Sequence, residues 1–126
     1  MKKTLLLAIL ILLFTLSACG GEKGYTDISI TELQTMLENK DFLFVNTHIP
    51  FAGDIPDTDL TIPYNQINSY LGQLPADKDA KIVLYCRSGS MSTDAAQQLV
   101  ALGYTNVYEL DGGFNAWKAA GLAMDN

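Results

Sequence analysis

Lys81-Ile82-Val83-Leu84-Tyr85-Cys86-Arg87-Ser88-Gly89-Ser90-Met91 is the stretch on which the fold turns. Ile82 to Tyr85 is an unbroken apolar run, rich in β-branched and aromatic side chains, as expected of a strand covered on both faces. It stops at a short series of small and polar residues. A helical spacing then begins at about Ser92, with Ala95, Ala96, Leu99, Val100 and Leu102 as its apolar set and Gly103 as its stop. Strand, small-residue loop and helix in that order make the unit from which parallel sheets are built.

The flanking sequence repeats the alternation. Upstream, Ser29-Ile30-Thr31-Glu32 reads as a capping box opening a helix that runs to about Asn39, with Ile30, Leu33 and Leu37 on one face. Asp41 to Asn46 is a second short buried strand. His48 to Asp59 holds two prolines, a glycine and three aspartates without a period and predicts an irregular connection. Leu60-Thr61-Ile62 is a brief strand ended by Pro63. Asn65 is placed to cap a helix through Leu71 whose inner face is Ile67, Tyr70 and Leu71, and Pro75 to Asp79 reads as a turn. Downstream, Asn106 to Leu110 is a strand, Asp111-Gly112-Gly113 a tight turn, and Phe114 to Ala120 a helix stopped by Gly121. The pattern predicts an α/β domain with a mainly parallel sheet covered on both faces, with ligands gathered at the carboxyl ends of the strands. Cys86 stands at that end of the clearest strand.

A loop of this kind presents backbone amides to one point, and the amino terminus of the following helix adds roughly half a positive charge. Gly89 permits a dihedral that other residues avoid, Ser88, Ser90 and Ser92 are small hydroxyl donors, and Arg87 adds a formal charge. Helix termini and cations favour a thiolate, which is the nucleophilic form of cysteine. A thiolate, or the persulfide formed when it accepts sulfur, is therefore expected at Cys86, within reach of solvent.

The first 24 residues read differently. Lys2 and Lys3 precede an apolar run from Leu5 to Leu16 broken only by Thr15, and small residues follow, the order of a secretory signal peptide spanning residues 1–18. The run is too short to span a bilayer, which takes roughly 20 residues as a helix. Leu16-Ser17-Ala18-Cys19 resembles the lipobox of bacterial lipoproteins, which implies cleavage before Cys19 and acylation of that residue, palmitate being a typical chain. Two or more acyl chains anchor stably where one is marginal. Residues 19–24, with Gly20, Gly21 and Gly24, form an expected flexible leash, and residues 25–126 the folded domain.

Without Lys2 and Lys3 the chain carries six basic and fourteen acidic side chains, a net charge near −8. Such a surface offers no footprint for nucleic acid and is repelled by anionic headgroups, so membrane contact is expected through the lipid alone. With Cys19 lipidated, Cys86 has no partner in its own chain and a disulfide framework is excluded.

The residues from Cys86 to Ser92 resemble the loop of single-domain rhodanese-like sulfurtransferases, which often begins Cys-Arg-Ser-Gly and continues with Arg and Ser. Val107, Leu110, Asp111-Gly112-Gly113, Ala116-Trp117 and Gly121 resemble the family's closing motif, while Gly53-Asp54-Ile55-Pro56 and Ile62-Pro63 resemble its upstream marks. The resemblance covers about Tyr25 to Leu122. It implies a three-layer fold with about five short strands, and sulfur transfer through a persulfide on Cys86. The anion cradle would be Arg87, Ser88, Gly89, Ser90, Met91 and Ser92. Neither metal nor organic cofactor is implied. The implied partners are a small sulfur donor such as thiosulfate or polysulfide, a thiol or cyanide-like acceptor, and in one version an exported protein. Trp117 is expected in the core and the glycine pair in a turn.

There are departures from the family pattern. Met91 stands where many members have Arg, which points to a donor less charged than thiosulfate. Asn46-Thr47-His48 replaces Asp-any-Arg, and Asp54 replaces a histidine. His48 reads as a structural or solvent-facing residue. Related phosphatases and arsenate reductases use a longer loop ending in an Arg clamp, and Ser92 occupies that sixth position after Cys86. A different class of function stays open: a non-catalytic module that binds a partner or holds sulfur for it.

Overall fold

The structure, a computed structural model, describes residues 22–126. The expected signal segment, Cys19 and the first part of the leash lie outside the described residues. Strands β1 (Tyr25–Ile28), β2 (Leu43–Asn46), β3 (Leu60–Thr61), β4 (Ile82–Tyr85) and β5 (Val107–Leu110) form one sheet. Its order is β1-β5-β4-β2-β3, with every neighbouring pair parallel. Helices α1 (Ile30–Glu38), α2 (Ser90–Ala101) and α3 (Gly113–Ala119) cover its faces.

Alternation along the strands divides the core in two. Val45, Ile82, Leu84 and Val107 point to the face covered by α2, where they meet Ala95, Ala96 and Leu99. Phe44, Val83, Tyr85 and Leu110 point the other way, towards Leu33 of α1 and Phe114 and Trp117 of α3. Buried on both faces, β4 needs apolar side chains throughout, and all four of its residues are buried. Trp117 packs in this second layer and donates through Nε1 to the Ala123 carbonyl at 2.9 Å. The capping box opens α1 as expected: Ser29 Oγ accepts from the Glu32 amide and Glu32 Oε2 from the Ser29 amide, each at 3.1 Å.

Some elements differ from the sequence reading. No strand is expected at Tyr25 to Ile28, yet β1 pairs with β5 at the sheet edge, where Thr26 and Asp27 face solvent and dilute the apolar signal. The helix expected after Asn65 is a kinked 3-10 segment, Ile67–Gln73, entered from Gln66 without a side-chain cap. Ile67 is buried there, but Leu71 is 45 % exposed and not on an inner face. Three residues per turn put Ile67 and Tyr70 in line and swing Leu71 outward. The start of α2 moves from Ser92 to Ser90, because Gly89 itself takes the N-cap position with φ 111°.

Candidate active site

Parallel pairing brings three strand ends together. Asn46 of β2 is in register with Tyr85 of β4, and Leu84 of β4 with Glu109 of β5. The chain leaving β2 stays beside the chain leaving β4: Thr47 donates to the Tyr85 carbonyl from its amide at 2.8 Å and from Oγ1 at 2.9 Å. Cys86 is the next residue, at the mouth of the sheet. From the opposite side the first amides of α3 close on the loop, Phe114 donating to the Cys86 carbonyl at 2.9 Å and Asn115 to the Arg87 carbonyl at 3.0 Å.

The loop then folds over the sulfur. The Gly89 amide donates to Cys86 Sγ at 3.0 Å and the Ser92 hydroxyl lies 3.3 Å from it. The helical ladder of α2 begins with Thr93 donating to the Gly89 carbonyl at 3.0 Å, so the amides of Ser90, Met91 and Ser92 precede it at the positive end of the helix. Arg87, Ser88 and Ser90 are exposed, Gly89 and Met91 half-buried, and Ser92 fully buried. Of the three expected hydroxyl donors, the one that reaches Sγ is Ser92. Starting α2 at Ser90 puts Ser92 in its first turn, facing inward, and leaves Ser88 and Ser90 on the outer surface.

The sulfur itself differs from the expectation of solvent reach. Cys86 is only 1 % exposed, because the Gly89 amide is laid directly on it. It is nevertheless not packed in hydrocarbon alone, since an amide and a hydroxyl are directed at it.

Glu109 is the residue the sequence reading passes over. It is 3 % exposed, on the α2 face of β5, and its Oε1 lies 2.6 Å from Ser92 Oγ. A Cβ on Gly89 would approach the same oxygen to 3.4 Å, so the loop runs directly over the carboxyl. Burial pushes the Glu109 carboxyl up to about 7; the Ser92 hydrogen bond opposes this, and Asp27 and Asp111 add to it. The available signal was an acidic residue inside the apolar run Val107-Tyr108-Glu109-Leu110.

His48 is 8 % exposed and stands edge-on to the Phe114 ring at 5.3 Å, with no partner for Nδ1 among the described residues. It is structural and not solvent-facing; burial, reinforced by Arg87, holds its pKa below the usual histidine value. Asn46 is spent on local order, its Nδ2 donating to the Gly53 carbonyl at 3.0 Å and to Asp54 Oδ1 at 2.9 Å. Among the described residues no cluster of three or more His, Cys, Asp or Glu is placed to hold a metal ion.

This arrangement has relatives. The family model of the rhodanese-like domain matches residues 26–120. A sulfurtransferase of Allochromatium vinosum is 37 % identical over 94 residues, covering 72 % of this chain and 85 % of its own. A thiosulfate sulfurtransferase of Pseudoalteromonas translucida is 31 % identical over 100 residues, covering 77 % and 92 %. The crystal structure of a rhodanese-like domain protein from Staphylococcus aureus superposes with a TM-score of 0.65 at 27 % identity, over 80 % of this chain and 99 % of that one. With its sheet order, its cysteine at the mouth of β4 and a family match across most of its length, the chain belongs to the rhodanese-like domain family.

Proposed function

We propose that this protein is a sulfurtransferase or sulfur carrier that holds sulfane sulfur as a persulfide on Cys86 and passes it to a nucleophilic acceptor. The observation that carries the reading is the pair of donors, Gly89 N–H and Ser92 O–H, directed at a single sulfur beside the amino terminus of α2. Cys86 Sγ attacks the outer sulfur of the donor; a bond forms between the two sulfurs, and the donor's bond to that sulfur, S–S in thiosulfate or polysulfide and C–S in mercaptopyruvate, breaks with its electron pair leaving on the departing group. The acceptor then attacks the outer sulfur, and the pair of the broken bond returns to Cys86 Sγ. Both steps displace at sulfur and move negative charge between sulfurs, which the loop amides stabilise. Because Gly89 covers Sγ in the unloaded loop, its amide turns from Sγ to the incoming sulfur as loading proceeds.

The relatives' names make thiosulfate one donor to try. Met91 in the cradle stands where a cation could bind an anionic donor, so a donor less charged than thiosulfate is favoured. Phosphatase chemistry lacks its clamp, because Ser92 is buried and spent on Sγ and Glu109. The near-complete burial of Cys86 favours a second reading, a non-catalytic module that binds a partner.

The test is intact-mass analysis of the full-length protein in detergent after incubation with thiosulfate, polysulfide or mercaptopyruvate. The expected result is one added sulfur atom, absent in Cys86→Ser and released by cyanide. No adduct with any donor would leave the binding module as the better reading.

The same reading places the domain outside the cytoplasm on a lipid anchor at Cys19, supported by the order of charges, apolar run and small residues before it. Cells fed labelled palmitate are expected to label the wild-type protein and not Cys19→Ala; label in both, or in neither, would overturn the anchor.

A further inference from the structure

Ser92 has one hydroxyl proton and three acceptors around it: Glu109 Oε1 at 2.6 Å, Cys86 Sγ at 3.3 Å and the Gly89 carbonyl at 3.3 Å. Which of them receives the proton depends on Glu109. A protonated Glu109 donates to Ser92 Oγ, and the Ser92 hydroxyl is then free to donate to Sγ. An ionised Glu109 takes the Ser92 proton for itself, and the sulfur loses a donor while facing a second anion across one hydroxyl. We propose that Glu109 is a positioning residue that shares one proton with Cys86 through Ser92, so that charge on the sulfur and charge on the carboxyl exclude each other.

The surroundings favour the proton on Glu109 whenever the sulfur is charged. From β1 it faces Asp27, its register partner, and Asp111 follows at the end of its own strand. A cation on that side, Lys23, is paired with Asp27 at 2.6 Å. From β4 its register partner is the apolar Leu84, and from α2 it meets Ser92, while Asp94 of that helix is exposed. Arg87 is exposed and acts on His48. Two buried groups coupled in this way titrate as a pair, in two macroscopic steps.

The consequence, which rests on the sulfur-carrier reading, is that loading releases no proton to solvent. The Cys86 S–H bond breaks, its proton passes to Ser92 Oγ, and the Ser92 proton passes to Glu109. The thiolate then takes the outer sulfur of the donor. With thiosulfate the leaving group is sulfite, and thiol, carboxylate and thiosulfate become persulfide anion, carboxylic acid and sulfite with charge conserved. Discharge returns the proton to Cys86.

The coupling is tested without any sulfur donor, so its failure is distinct from failure of the carrier reading. The pH dependence of Cys86 alkylation by iodoacetamide is measured on the full-length protein in detergent. Glu109→Gln, which keeps the shape and an N–H for Ser92, is expected to lower the midpoint by about one pH unit, speeding alkylation about tenfold below both midpoints. A residue that only supports the fold would change the melting temperature and leave that midpoint in place. The second measurement needs no variant: the 13C signal of the Glu109 carboxyl is expected to titrate in two steps, the upper one coincident with the alkylation midpoint. It should titrate in a single step once Cys86 is capped by iodoacetamide. An unchanged or raised alkylation midpoint in Glu109→Gln, or the same single step before and after capping, would overturn the proposal.

Discussion

Alanine at Gly113 is expected to destabilise the protein by about 4 kcal/mol and to slow sulfur loading about 100-fold in whatever remains folded, by the sum of a steric and a conformational cost. The added Cβ would fall 2.3 Å from the Cys86 carbonyl oxygen and 2.7 Å from the carbonyl carbon and oxygen of Arg87. All three atoms are backbone, so no flexible side chain can swing aside. Gly113 also has φ +56°, where alanine is strained. Overpacking costs typically 1–3 kcal/mol and a left-handed non-glycine residue a similar amount. Against a usual total of 5–15 kcal/mol the sum is a large share. The chain relieves the clash by pushing the Cys86–Arg87 peptide away from α3, which breaks the bonds from Phe114 and Asn115 and shifts Sγ from under the Gly89 amide. Gly121→Ala is the control, since Gly121 has φ +80° with nothing near its added Cβ. It is expected to cost about 1 kcal/mol, the conformational part alone. Urea unfolding of both variants, with loading followed by intact mass, checks the prediction; equal losses in the two would remove the clash from the explanation.

The α/β architecture and the family were legible in the sequence because each rests on local signals. Ile82 to Tyr85 reads as a strand buried on both faces with no knowledge of its neighbours, and the glycines flanking the active-site turn mark dihedrals that few residues adopt. The capping box at Ser29 is equally local. What escaped depends on neighbours distant in sequence. Tyr25 to Ile28 is a strand because β5 offers it an open edge, and two of its four residues face water. Ser88, Ser90 and Ser92 are chemically equivalent in the sequence, and only the point at which α2 begins selects Ser92. Glu109 escapes because nothing local in Val107-Tyr108-Glu109-Leu110 says what covers its carboxyl; its burial comes from the loop between β4 and α2 lying across it, a contact with residues some twenty positions away.

Glu109 should also leave a mark on stability. Its carboxyl is raised from 4.5 to about 7 in the folded protein, so between those values the folded state holds a proton that the unfolded state has lost. Stability from this group is therefore fully present below about pH 4.5 and falls as the pH rises through 7, the reverse of a salt-bridged carboxylate. The shift corresponds to about 3 kcal/mol. Burial prevails over the Ser92 hydrogen bond because one hydroxyl replaces only part of a carboxylate's hydration, and Asp27 and Asp111 offer no compensating charge. Glu109→Gln isolates the contribution, since the other acidic groups are common to both proteins. Below about pH 4 the variant and the wild type are expected to be equally stable, the position being neutral in both the folded and the unfolded chain. At pH 8 the variant should be more stable by about 3 kcal/mol, or roughly 10–20 °C in melting temperature for a domain of this size. A difference that stays flat from pH 5 to 8 would show the carboxylate to be solvated in the folded state. Retaining a carboxyl that costs stability near neutral pH is what the protein would do if the proton it exchanges with Ser92 and Cys86 serves the sulfur chemistry, because glutamine would fill the same space without the cost.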